Sequence, residues 1–248
     1  MPLWLAMNRM RTRPLFPIAG VAVCGLLMSL AAATAAGSTR PDVILSNGTT
    51  SSTWSVADYL VAIRSGPSTN SARVGTLQFQ TPDGFLQSYL LLRERFTSSG
   101  GWVELRIPGR PNGRTGWVPR GVLDTFNHTN MEIVVNRETR QLALYRAGRV
   151  IYRAPVGVGR PSMPTPAGHF WITEAFPSSD PAYGPFAFGT SDYSTLTDWV
   201  GGGIVGLHGT DEPWLVPGDP SHGCIRLHNS DVLRLSRLVS IGTPLLVQ

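Results

Sequence analysis

The sequence predicts a mainly β protein in two parts, a small all-β barrel followed by a larger β domain with one helix near its C-terminus. Three observations predict it. From about Trp54 to Phe126, short apolar runs are closed every few residues by Gly, Pro, Asn and Ser, the punctuation of short strands and tight turns. From Met131 onward, runs such as Ile133-Val134-Val135 and Gln141–Tyr145 repeat that pattern in a second block. Helical spacing of apolar residues occurs after Asn229, where Val232, Leu235, Leu238 and Val239 share one face. With 42% hydrophobic and 15% charged residues in 248, the chain can bury a core, which excludes wholesale disorder.

Residues 1–36 read as an export segment. Arg9, Arg11 and Arg13 precede an apolar run from Leu15 to Ala33, and Ala33-Thr34-Ala35 forms a cleavage box. The run approaches the roughly 20 residues that span a bilayer, so an uncleaved anchor is the alternative to a removed signal peptide. Both readings place the rest of the chain outside the cytoplasm, in the periplasm or the cell-wall space. Val23 is bulky for a lipid-modification site at Cys24. Residues 37–53, rich in Ser, Thr and Gly, read as a flexible linker.

Residues 54–126 form the first domain. Tyr59–Ile63 is a strand closed by Arg64-Ser65-Gly66-Pro67, and Arg73–Leu77 and Ser88–Arg93 follow. Trp102–Arg106 alternates with a period of two, and Asn112-Gly113 is a hairpin signal before Thr115–Val118. Ala62-Ile63-Arg64-Ser65-Gly66-Pro67 and Arg114-Thr115-Gly116-Trp117-Val118-Pro119 resemble a bacterial SH3-like domain. That resemblance implies either a module that binds cell-wall peptides or a packing module with no ligand. Residues 127–130 form a polar joint, with His128 exposed.

The second domain covers residues 131–248. Val150–Val156 is a strand, and the glycines that follow it are no nucleotide fingerprint, because Pro161, Pro164 and Pro166 preclude a helix there. His169 sits in a strand, His169–Thr173. Residues 176–202, rich in Pro, Gly and aromatics (Phe176, Tyr183, Phe186, Phe188, Tyr193, Trp199), read as a long loop that is either functional or a cap over the sheet. Gly203–Leu207 is a buried strand that delivers His208. Asn229 or Ser230 caps a helix running to about Ser240, and Pro244–Val247 is the last strand.

Every basic residue is arginine, and three of those lie in the export segment. The remaining charge is close to balance, with no basic stripe, which excludes a nucleic-acid partner. Removal of the export segment leaves Cys224 as the one thiol of an exported protein, which points to reactivity or pairing between chains. Three of the five histidines, His208, His222 and His228, flank it. A free thiol ionises near about 8.5, and an adjacent imidazolium lowers that value. His208, at a strand end beside Gly209, is the expected partner and base. Gly223 lets backbone approach a substrate, and amides around Gly223 and Cys224 can hold an oxyanion. His222 either shapes that pocket or braces the turn. A zinc set of Cys224, His208, His222 and His228 is disfavoured, because His222 and Cys224 are two apart and no second Cys or acidic ligand joins them. No metal and no cofactor are expected. Ser221 lacks the flanking glycines of a nucleophile elbow.

His208-Gly209-Thr210, followed by Ser221-His222-Gly223-Cys224-Ile225-Arg226-Leu227, resembles the signature of the L,D-transpeptidases, the YkuD-type catalytic domain, at every motif position. Met163–Gly168 is similar to a loop of that family. The resemblance covers about residues 131–248 and implies a β-sandwich-like assembly with a helix. It implies that Cys224 attacks the third residue of a peptidoglycan stem tetrapeptide and expels the terminal D-alanine. His208 would take the thiol proton, with the Gly209 carbonyl holding its ring. His222, Gly223 and the Cys224 amide would line the oxyanion site, and Arg226 and Ser221 would face substrate. An amine from a neighbouring stem would resolve the thioester into a cross-link, and water would give carboxypeptidase activity. Penem-type β-lactams are implied as covalent inhibitors. The competing expectation is a wall-binding protein whose cysteine site has lapsed.

Overall fold

The computed structural model describes residues 40–48, 50–198 and 202–248, so the export segment, Cys24 and Trp199 lie outside the described residues. Among the described residues the first sheet contains β1 (Val43–Ile44), β2 (Ser52–Val56), β3 (Ala62–Arg64), β4 (Arg73–Thr76), β5 (Ser88–Thr97), β6 (Gly100–Arg106), β7 (Thr115–Pro119) and β8 (Asn127–Thr129). These pair in the order β4-β3-β7-β6-β5-β2-β8, with β1 on β5. Alternation in β6 sends Val103 and Leu105 into a core with Ile63, Leu77, Leu91 and Val118. Gly113, at φ +84°, takes the left-handed turn position between β6 and β7.

Three expectations are corrected here. Residues 37–53 are not simply a linker, because Val43–Ile44 and Ser52–Val56 are strands. Their small polar residues serve the backbone: Thr53 Oγ1 donates to the Leu45 carbonyl at 2.6 Å, and Ser46 Oγ accepts from Thr53 N at 2.9 Å. The joint at 127–130 holds strand β8, although His128 is exposed as expected. Tyr59 and Leu60 are exposed, and the strand there begins only at Ala62.

The second sheet contains β9 (Met131–Asn136), β10 (Gln141–Arg146), β11 (Arg149–Pro155), β12 (Gly157–Gly159), β13 (Gly168–Pro177), β14 (Phe186–Tyr193), β15 (Ile204–His208), β16 (Gly218–Ser221), β17 (Ile225–Arg226) and β18 (Pro244–Val247). Their order is β11-β10-β9-β18-β13-β14-β15-β17-β12-β16. β13 joins the two halves: Gly168–Trp171 pairs with β18, and Ile172–Pro177 pairs with β14. One core collects Ile133, Leu142, Phe170, Leu207 and Ile225 with Val232 and Leu235 of α1 (Asn229–Leu235).

The helix is shorter than its apolar spacing predicts. It ends at Leu235, and Val239 reaches the core through one further turn whose amide donates to the Leu235 carbonyl at 2.8 Å. Its N-cap is His228, not Asn229 or Ser230. The stretch expected as one long loop contains the eight-residue β14, because Pro177, Pro181 and Pro185 all lie outside that strand. The described residues form one compact unit. The Trp171 indole of β13 donates to the Ser88 carbonyl of β5 at 3.1 Å, and Phe85 stacks on Phe176 at 5.3 Å.

Candidate active site

β15 and β17 run parallel, with His208 opposite Arg226. That register places Cys224, which immediately precedes β17, beside Gly206, two positions before His208, so that His208 and Cys224 share one face of the sheet. The Cys224 sulfur accepts from the Gly206 amide at 3.4 Å. A Cβ built on Gly206 would lie 3.3 Å from His208 Cδ2 and 3.7 Å from Cys224 Sγ, so both side chains stand beside that glycine. Both line two adjoining cavities, of about 240 Å3 and about 400 Å3, which also share Asp180, Tyr183 and Ile204.

The His208 ring has a fixed tautomer. Nδ1 lies 2.6 Å from the Gly209 carbonyl, and a carbonyl can only accept, so Nδ1 carries the proton. In the neutral ring Nε2 is then the basic nitrogen. Burial pulls the His208 pKa down to about 4, with the Gly209 carbonyl opposing and the Arg226 charge adding to the drop. Burial likewise pushes the Cys224 thiol up, against the pull of the Gly206 amide and Arg226. This reverses the expected lowering of the thiol by an imidazolium. Both groups are desolvated, so the uncharged thiol–imidazole pair is favoured at rest.

The turn that presents Cys224 is braced from within. Ser221 Oγ donates to the Cys224 carbonyl at 2.6 Å and accepts from Gly223 N at 3.1 Å. Thr165 Oγ1 donates to the Gly223 carbonyl at 2.8 Å and accepts from Gly159 N at 2.9 Å. One expected role changes as a result: the Gly223 amide is taken by Ser221 rather than offered to an oxyanion. Ser221, 2% exposed, braces the turn and also lines the smaller cavity. Gly223 sits at φ +128°, and a Cβ there would come within 3.2 Å of Ser194 Cβ, so the turn requires glycine.

Arg226 lines the smaller cavity, and its Nη1 donates to Glu212 at 2.7 Å. His222 lines the same cavity. His228 lies at the start of α1, with Nδ1 3.5 Å from Asp231. Sequence reasoning missed Asn229 and left Tyr183 without a role. The Tyr183 ring packs edge-on against His208, with centroids 4.7 Å apart at 67°; its sequence signal was an aromatic in a proline-rich stretch. Asn229, which reads as a cap, accepts from Thr210 N at 2.9 Å and fills the space a Cβ on Gly209 would need.

The profile of the YkuD family, described as an L,D-transpeptidase catalytic domain, matches residues 130–247. YkuD of Bacillus licheniformis, which carries an L,D-transpeptidase designation, is 33% identical over 111 residues, 45% of this chain and 61% of that protein. YqjB of Bacillus subtilis, with the same designation, is 31% identical over 124 residues, 46% of this chain and 69% of that protein. The solved catalytic domain of the E. faecium L,D-transpeptidase is 27% identical, with a TM-score of 0.37, over 48% of this chain and 96% of that one. The chain therefore spans 61% of the length of the B. licheniformis relative.

Proposed function

The chain belongs to the YkuD family of L,D-transpeptidase catalytic domains, and from that premise we propose that it is an exported peptidoglycan L,D-transpeptidase. The observation that carries the reading is the placement of Cys224 and His208 on either side of Gly206, both lining the same two cavities. In the proposed reaction Nε2 of His208 takes the thiol proton as the sulfur attacks the carbonyl of the third residue of a stem tetrapeptide. The C–N bond to the terminal D-alanine then breaks, and His208 returns the proton to the departing amine. The Gly209 carbonyl holds the ring in the required tautomer. With the Gly223 amide occupied, the Cys224 amide is the oxyanion donor, and His222 shapes the wall beside it. An acceptor amine resolves the thioester into a cross-link, and water resolves it into a tripeptide.

Because the resting pair is uncharged, attack and proton transfer are coupled, and the charges form only with the substrate in place. The first sheet is read as an SH3-like module that positions the catalytic half, supported by the packing of Phe85 on Phe176 and of Trp171 on Ser88. The test is intact-mass spectrometry after exposure to a carbapenem, beside digestion of treated sacculi. The wild type is expected to gain one covalent adduct and to join two third residues, and Cys224→Ala to do neither. A wild type that binds sacculi but forms neither adduct nor cross-link would show the wall-binding alternative instead.

A further inference from the structure

The larger cavity, of about 400 Å3, runs from Cys224 and His208 to Asp83 on a turn of the first sheet, and its charged walls are Asp83, Glu174 and Asp180. No arginine is among its lining residues. Glu174 of β13 stands opposite Gly189 of β14. A Cβ on Gly189 would lie 2.6 Å from Glu174 Oε2, so the glycine makes room for the carboxyl group. Glu174 is 2% exposed, and its Oε1 is buried with no hydrogen-bond partner. Thr81, from the first-sheet turn that also carries Asp83, pulls the Glu174 pKa down against its burial. A buried carboxyl oxygen without a donor, on a residue that lines a cavity, costs free energy until a ligand supplies one.

We infer that this cavity is a cation subsite in which Glu174, assisted by Asp83, holds the primary ammonium of the acceptor. The inference rests on the transpeptidase reading and adds to it which side chains receive the acceptor amine, one on β13 and one on a turn of the first sheet. A hydroxyl or an amide could satisfy Oε1, but three carboxyl groups around one cavity favour a positive charge. Burial raises the Glu174 pKa, which makes its carboxylate the better proton acceptor.

The step balances as follows. The ammonium passes one proton to Glu174 and becomes a neutral amine. The amine nitrogen forms a bond to the thioester carbonyl carbon as the C–S bond breaks. A second nitrogen proton passes through His208 to the departing sulfur, restoring the thiol, and Glu174 later releases its proton to solvent.

The test uses the full chain, a stem tetrapeptide as acyl donor, and Nα-acetyl-lysine amide as the acceptor probe. The same compound acetylated on its side chain is the neutral control. Mass spectrometry gives the ratio of amide product to hydrolysed tripeptide. Both arise from one thioester, so changes in acylation rate cancel. Glu174→Gln is expected to lower that ratio by about tenfold, the loss of a charge-assisted contact, and Asp83→Asn to lower it by about two- to threefold. An acylating Glu174→Gln variant with the wild-type ratio overturns the inference. So does a wild-type thioester that yields only tripeptide at saturating probe. Should Glu174→Gln fail to fold, Asp83→Asn on its exposed turn decides in the same way. A wild type that forms no thioester with the tetrapeptide refutes the transpeptidase reading itself, and intact mass shows that result separately.

Discussion

Two nitrogens of one ring are set apart at His208: Nδ1–H is tied to the Gly209 carbonyl at 2.6 Å, which leaves Nε2 for the proposed proton transfer. A base with its pKa drawn down to about 4 keeps its lone pair far into acid. Acylation of Cys224 should therefore hold nearly constant as the pH falls from 7 to 5, and reach half its value close to pH 4. A half-point near about 6.5, the ordinary histidine value, would show that the ring is not desolvated. Stability carries the same information. The unfolded His208 binds its proton near 6.5 and the folded one near 4, so stability is fully present above 6.5 and is lost as the pH falls toward 4. The slope is about 1.4 kcal/mol per pH unit for one group. Asp192, raised by burial to about 8, has the opposite sign, losing stability as the pH rises through that value. The His208 slope is therefore read as the difference in urea midpoint between wild type and His208→Gln.

The turn Ser221–Cys224 depends on a stretch far away in sequence. Thr165 is 1% exposed and links the Gly223 carbonyl to the Gly159 amide through one hydroxyl. Thr165→Val keeps the shape and removes both bonds, leaving a buried donor and a buried acceptor unsatisfied. The expected loss is about 2 kcal/mol or more in denaturant midpoint, with slower carbapenem acylation. Thr165→Ser, which keeps the hydroxyl, should restore most of the rate. Equal rates in the two variants would show that the hydroxyl plays no part in presenting the sulfur. The elements themselves were legible to different degrees. β6 and β7 announce themselves by alternation and by Asn112-Gly113. β14 does not, because Phe186–Tyr193 lies in a proline-rich stretch and is buried along most of its length, so it has no polar face to alternate with. The helix was placed correctly by its apolar face, but its end was not, since a single 3-residue turn can carry Val239 into the core without continuing the helix.

At the scale of the whole molecule the first sheet reaches the catalytic wall. Arg110, on the turn between β6 and β7, donates from Nε and Nη2 to the Ser194 carbonyl at 2.9 and 2.7 Å, and from Nη1 to the Gly202 carbonyl at 2.9 Å. Asn112 of the same turn donates to Asp192 at 2.7 Å and to the Tyr193 carbonyl at 3.0 Å. Ser194 lines the smaller cavity and is the residue against which Gly223 packs. Arg110→Ala is therefore expected to lower stability by roughly 1–3 kcal/mol and to slow acylation of Cys224, with Arg110→Lys recovering less than half of the loss. Denaturant titration and acylation kinetics on the same preparations check both. A variant that loses stability but acylates at the wild-type rate would limit Arg110 to holding the sheets together.

The sequence by itself determined the chemistry that the chain can carry. One thiol set among histidines, with a glycine before it and a strand delivering His208, named the pair proposed to react, because composition and spacing record which atoms are available. It also determined that the fold is mainly β, since alternation and turn residues act over a few positions. Only the tertiary structure decided the state of that pair. The burial of His208 and the partial burial of Cys224 arise from strands far apart in the chain, and desolvation is what shifts both groups toward their uncharged forms. The same holds for Ser221, Gly223 and Asn229, whose hydrogen bonds were assigned by the packing of β12, β15 and α1 around one turn. Local sequence states which groups can bond, and only the assembled fold states which partners they meet and how far water is kept away.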